Sequence, residues 1–155
     1  MKIILDEKLY NNIWDKINKE FNFTPSIDIN VEPFKFKINY KVYKLQSVWN
    51  EEQEKIVNNI LKEMSNEDIY ALSYQHDCFE FNPSEEIGLE YNYYDDIRNC
   101  VVYFPSCYPN GEYNFFISKD FSYGFLGHPW RKEIYIFGDI LINKFKNQKE
   151  NLNIY

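Results

Sequence analysis

Arginine is nearly absent: Arg98 and Arg131 stand alone against 15 lysines, so bidentate clamps for phosphate or carboxylate are scarce. The net charge is -7, from 17 Lys+Arg against 24 Asp+Glu. That sign opposes the polyanionic backbone a nucleic-acid binder must neutralise, so no nucleic acid is expected as a partner. A phosphate loop is missing too, because Gly124 and Gly127 stand in Tyr-Gly-Phe-Leu-Gly-His-Pro with no helix or lysine after them. Histidine occurs twice, at His76 and His128, and cysteine three times, at Cys78, Cys100 and Cys107, with no CxxC or HxxxH pair among them. Those spacings predict no metal and no other cofactor. An odd cysteine count in a chain of this size predicts free thiols and a reducing, cytoplasmic setting. No stretch approaches the ~20 apolar residues of a spanning helix, and the first residues fall short of a signal sequence, so neither a membrane nor export is expected.

What the chain does have is rings: 14 Tyr, 13 Phe and 3 Trp. They supply much of the volume of a core, although Tyr is amphipathic and so many cannot all be buried. A chain of 155 residues fits one domain that removes about 70% of its unfolded surface from water. Three helices are predicted. Leu9, Ile13, Ile17 and Phe21 repeat at helical spacing behind Asp6, with Tyr10 and Trp14 beside the stripe, giving a helix over 6–21. Asn50 with Gln53 three positions on opens a second over 51–64, and Asp139 begins a third over 139–147 with a frayed tail from Lys149.

The strand signals surround the stretch from Cys100 to Lys146. Asn110-Gly111 lies between Cys100-Val-Val-Tyr-Phe and Tyr113–Ser118, which predicts a hairpin. A glycine- and aromatic-rich loop then leads to a strand over Ile134–Phe137, completing a three-strand meander. Strict alternation from Phe34 to Val42 predicts a half-buried strand with Lys35, Lys37 and Lys41 on its solvated face. Ile69–Tyr74 and Cys78–Phe81 are one bulged strand or two short ones, and Ser84–Asn99 is a surface excursion. The expected fold is α+β: a single domain with a mainly antiparallel sheet of about five strands, a C-terminal meander and about three helices.

Two regions are candidates for function. Between Glu85 and Asp96, Glu85, Glu86, Glu90, Asp95 and Asp96 share twelve residues with Tyr91, Tyr93 and Tyr94. Rings ringed by carboxylates suit a protein partner with a basic surface, the rings giving desolvated contact and the acids steering the encounter. The leading expectation is therefore a non-enzymatic binding module of an immunity or antitoxin type, in an oligomeric state the sequence leaves open. The alternative is a small-molecule or hydrolytic pocket around His76 and His128, lined by Tyr74, Cys78, Glu80 and Trp130. On a continuous strand His76 and Cys78 would share a face with Glu80, whereas His128 would lie in the glycine-rich loop.

The run Tyr108-Pro109-Asn110-Gly111-Glu112-Tyr113, then Phe116–Phe121, Gly127-His128-Pro129-Trp130 and Ile136-Phe137-Gly138, resembles a family of small bacterial proteins grouped as domain of unknown function 2716. Trp14 with Phe21–Ser26, and Tyr74–Cys78 with Phe81-Asn82-Pro83, extend the resemblance over most of the chain. The resemblance implies a grouping and no reaction, cofactor or functional residue.

Overall fold

Three helices form where their caps and periods place them in the computed structural model, which describes residues 1–85 and 92–155. The first, α1 (Glu7–Phe21), opens on Asp6, whose side chain accepts the Leu9 N–H at 2.6 Å, and buries Ile13, Ile17 and Phe21. It closes on Asn22 in the left-handed region, φ 47, with that residue's N–H returned to the Asn18 carbonyl. In α2 (Glu51–Met64) Asn50 and Gln53 exchange side-chain and backbone bonds at 3.0 Å each, a full capping box over a stripe of Val57, Ile60 and Leu61. Replacing Asn50 by Ala is expected to lower stability by about 1 kcal/mol, measured by urea unfolding. A third, α3 (Asp139–Asn147), follows Gly138 and buries Leu141 and Phe145.

Nine strands are described where the sequence suggested about five. They are β1 (Lys2–Ile3), β2 (Tyr40–Lys44), β3 (Ile69–Ser73), β4 (Cys78–Phe81), β5 (Asn92–Asp95), β6 (Cys100–Tyr103), β7 (Asn114–Ser118), β8 (Gly124–His128) and β9 (Glu133–Phe137). Seven make one sheet in the order β1-β4-β3-β7-β8-β9-β2, every neighbouring pair antiparallel. Side chains of α1 join Leu72, Phe115, Leu126 and Tyr135 on one face, while those of α2 and α3 join Ala71, Phe116, Phe125 and Ile136 on the other. Covered on both faces, β3, β7, β8 and β9 are buried along their whole length. Such strands carry continuous apolar runs instead of alternation.

The expected hairpin at Asn110-Gly111 does not form. Both edges of β7 are taken, by β3 and β8, so β6 pairs instead with β5 in a separate two-stranded ribbon. The turn that such a hairpin favours needs positive φ at both central residues, and only Gly111 has it, φ 78. The meander is β7-β8-β9, and its middle strand is the segment expected to be the glycine-rich loop. Gly124 and Gly127 are there because neighbours press on them: a Cβ on Gly124 would lie 2.5 Å from the Phe116 carbonyl oxygen, and one on Gly127 2.6 Å from Cβ of Pro109.

The alternating run from Phe34 is a strand only from Tyr40 onward. Its first half is tied to the end of α1, where Lys35 N–H bonds the Phe21 carbonyl at 2.7 Å and Thr24 N–H that of Pro33 at 2.9 Å. Phe34 and Phe36 therefore pack as loop rings against Phe21 and Phe23, Ile38 and Tyr40 face solvent, and Tyr43 is the buried residue of β2. Of the two readings of residues 69–81, two strands is the one formed, with Tyr74–Asp77 as the turn. The tail is not frayed. Leu152 and Ile154 are buried, Trp49 Nε1 donates to the Leu152 carbonyl at 2.8 Å, and Lys44 and Tyr155 exchange backbone bonds along the free edge of β2.

Candidate functional site

Tyr10, Trp14 and Asn18 recur every four residues along α1, a stripe beside the buried one. Together with Phe23, Pro25 and Tyr74 they line a cavity of about 330 Å³. A second cavity, of about 230 Å³, shares Pro25 and Tyr74 and continues past Ser26, Gln75, Glu112 and Tyr113 to Pro129 and Trp130. The two form one trough. Beneath its lining rings lies Phe115 on β7, fully buried, whose ring meets Trp14 edge-on at 5.4 Å and Phe23 at 5.1 Å. Tyr74 stands edge-on to Trp14 and Phe23 at 5.9 and 5.3 Å, an arrangement the ring quadrupoles favour.

Residues 22–34 form the outer wall and are pinned by buried polar groups. Tyr113 Oη donates to the Ser26 carbonyl at 2.7 Å and accepts the Ser26 N–H at 3.2 Å. Further along, Arg131 is 3.0 Å from Glu32 and 2.8 Å from Glu133, and Tyr135 Oη is 3.0 Å from a carboxylate oxygen of each. Burial, with those two carboxylates adding to it, pushes the Tyr135 phenol well above its ordinary value.

His128, at the end of β8, completes this wall from behind. It is 0% exposed. Nδ1 accepts the Arg131 backbone N–H at 3.4 Å and Nε2 lies 3.4 Å from Tyr113 Oη, so the neutral tautomer with its proton on Nε2 satisfies every partner. Burial first, and the Arg131 charge second, bring its pKa down to about 4.

Residues 4–142 match the family described as Protein of unknown function (DUF2716). The chain belongs to DUF2716. It is also similar to Uncharacterized protein YxiI of Bacillus subtilis (strain 168), 27% identical over 161 residues that cover 92% of this chain and 91% of that protein. No solved structure matches it.

The residues expected to form a pocket in this DUF2716 chain do not converge. Tyr74 and Trp130 line the trough, 43% and 46% exposed. His76 lies beyond it, Nδ1 at 2.8 Å from Glu112 Oε2, and its ring meets Tyr103 edge-on. Ser73 Oγ donates to the same carboxylate oxygen. Glu112 thus stands between Ser73 and His76, so the imidazole does not meet the hydroxyl as it does in a Ser–His pair; Ser73 is also buried. Cys78 is buried behind the turn, where desolvation pushes its thiol up to about 12, the character of an inert cysteine. Glu80 is held 3.2 Å from Lys119. His76 and His128 line neither cavity, because the 74–77 turn sends the first toward Glu112 and the buried β8 holds the second against Tyr113. Among the described residues no group of three His, Cys, Asp or Glu could hold a metal, and no helix is long and apolar enough to cross a membrane.

Of the acidic segment's described residues, Glu85, Tyr93 and Asp95 are used internally. Glu86, Glu90 and Tyr91 lie outside the described residues. Glu85 binds the Met1 amine at 2.6 Å. Arg98 joins Asp95 and Asp77, 2.8 Å from each, and those bonds hold the Asp95 carboxyl below its ordinary value. Tyr93 packs inward on the core, Tyr94 faces out with its hydroxyl on Asn99, and Asp96 is exposed. Sequence reasoning missed Phe23, Pro25, Glu112 and Tyr113 as lining. Tyr10 and Trp14 did carry a signal, two rings four apart and off the buried stripe.

Proposed function

We propose that this DUF2716 chain is a non-enzymatic binding module that holds an extended segment of a partner protein in the aromatic trough beside α1. The observation that carries this reading is the pair of half-exposed rings, Tyr74 shared by the two cavities and Trp130 in the second, in a trough walled by further rings. Half-wet Tyr and Trp among packed aromatic walls supply contact area at little conformational cost, which is the chemistry of interface anchors. The shape favours a segment over a small molecule: two cavities, about 230 and 330 Å³, that share Pro25 and Tyr74 make a track. Chemistry beside the site points the same way, since Ser73 and Cys78 are buried and the Ser73 hydroxyl is spent on Glu112. The net charge of -7 favours a basic partner, as for an immunity-type protein.

Selection from a displayed peptide library tests this. Peptides enriched on the native chain are expected to bind the Tyr74→Ala and Trp130→Ala variants at least about tenfold more weakly, a loss of ~1.4 kcal/mol, and to bind Tyr94→Ala unchanged. Enrichment that is equal on the Tyr74→Ala/Trp130→Ala double variant would remove the trough from the interface, and weakening by Tyr94→Ala alone would move the site to the β5–β6 ribbon.

A further inference from the structure

Charge along the trough is one-sided. Among the described residues that line the two cavities there is no Lys, Arg or His, and Glu112 is the one carboxylate. Its two oxygens differ. Oε2 takes the hydrogen bonds from Ser73 Oγ and His76 Nδ1, whereas Oε1 takes none from any described residue. The carboxylate is mostly covered, with 16% of its side chain exposed, and a covered anion retains more of its attraction for a counter-charge than one in open water. Arg131, the nearby wall guanidinium, is committed to Glu32 and Glu133 and is not the cation that would complete it. Tyr74 and Trp130 line the same cavity as Glu112 and are half exposed, and ring faces attract a cation within ~6 Å.

We propose that the Glu112 end of the trough is a receptor for one cationic side chain of the docked segment, lysine or arginine, held between Glu112 Oε1 and the rings of Tyr74 and Trp130. This rests on the binding-module reading and specifies what anchors the segment. With Oε2 occupied by two donors, the carboxylate offers a single oxygen, so the guanidinium fork has no advantage of two parallel bonds here and an ammonium fits as well. Pro25 and Pro129 on the walls cannot donate a backbone N–H to Glu112, which leaves the oxygen for the guest.

The test uses N-acetyl-lysine methylamide, N-acetyl-arginine methylamide and the uncharged N-acetyl-norleucine methylamide as probes, titrated into the full chain and followed by amide and indole NMR shifts. Saturable shifts at the Trp130 indole and at the 111–113 amides are expected with the two cations and not with norleucine. Trp130→Leu, which keeps bulk but loses the π-face, and Glu112→Gln, which keeps shape but loses charge, are each expected to weaken the cations at least about fivefold. Raising NaCl from 0.05 to 0.5 M is expected to weaken the native chain further than Glu112→Gln. Spectra unchanged outside the trough show that either variant is folded. Equal shifts from norleucine, or Glu112→Gln binding as the native chain does, would overturn the cation receptor while leaving the trough as an apolar groove. Lysine and arginine probes that shift nothing would overturn it as well, and the peptide selection then judges the binding module separately. A response to lysine alone, or to arginine alone, upholds the receptor and says which side chain it takes.

Discussion

Lowering the pH from 7 to 4 is expected to remove about 3 kcal/mol of folding stability through His128 alone. The folded state holds this imidazole neutral, 0% exposed, accepting the Arg131 N–H on Nδ1, with its pKa brought down from 6.5 to about 4. An unfolded chain takes up the proton near pH 6.5, so the stabilisation is whole above that value. It drains as the pH falls toward the folded pKa and is flat below it. Urea unfolding of the native chain and of His128→Gln between pH 7.5 and 4 checks this. Asp95 and Asp120, whose pKa values the fold lowers, lose stabilisation in acid in both proteins alike. What belongs to His128 is the narrowing of the gap between the two curves, and parallel curves would contradict a buried neutral imidazole.

Phe115→Ala is expected to cost about 3–5 kcal/mol, the range for emptying a fully buried ring site. Phe115 is 0% exposed in the middle of β7, and the rings of Trp14, Phe23 and Phe34 all rest on it. They come from α1 and from the loop after it, so they cannot all move in to fill the hole without pulling α1 from the sheet. Equilibrium urea unfolding measures the loss, with Ile97→Ala, at a site 96% exposed, expected to change stability by under about 0.5 kcal/mol. The same variant is expected to blunt peptide binding even where it stays folded, because Trp14 and Phe23, which line the trough, lose the ring they rest on. A Phe115→Ala chain as stable as the native one would contradict the two-sided burial of β7.

The helices were legible because each is specified by residues close together: Asp6 and Leu9, Asn50 and Gln53, and apolar positions three and four apart. Much of the sheet was not, because its pairings are decided by competition at a distance. Asn110-Gly111 looks like a hairpin until β3 and β8 occupy both sides of β7. Gly124 and Gly127 look like a loop until Phe116 and Pro109 are seen to need the space where a Cβ would be. The site was half legible for the same reason. Tyr74 and Trp130 stood out as rings beside turns, but the carboxylate that lines the same cavity comes from Glu112, well away from both in sequence. Clustered charge carried no sign of its internal partners: Asp95 joins Arg98, and Glu85 the chain's own amine.

The pairing of β2 with β9, Tyr43 opposite Ile134, has a consequence during synthesis. Residue 43 leaves the ribosome about ninety residues before its partner, on the order of ten seconds at translation rates of about 5–20 residues per second. The helices over 7–21 and 51–64 can form in that time, but they have only the β1-β4-β3 part of the sheet to settle on until β7, β8 and β9 emerge. The edge strand β1 is freed sooner, when β4 follows. Closure of the whole molecule therefore waits on the last quarter of the chain, and a nascent chain arrested before residue 133 would keep Tyr43 and the apolar side of α2 open to chaperones.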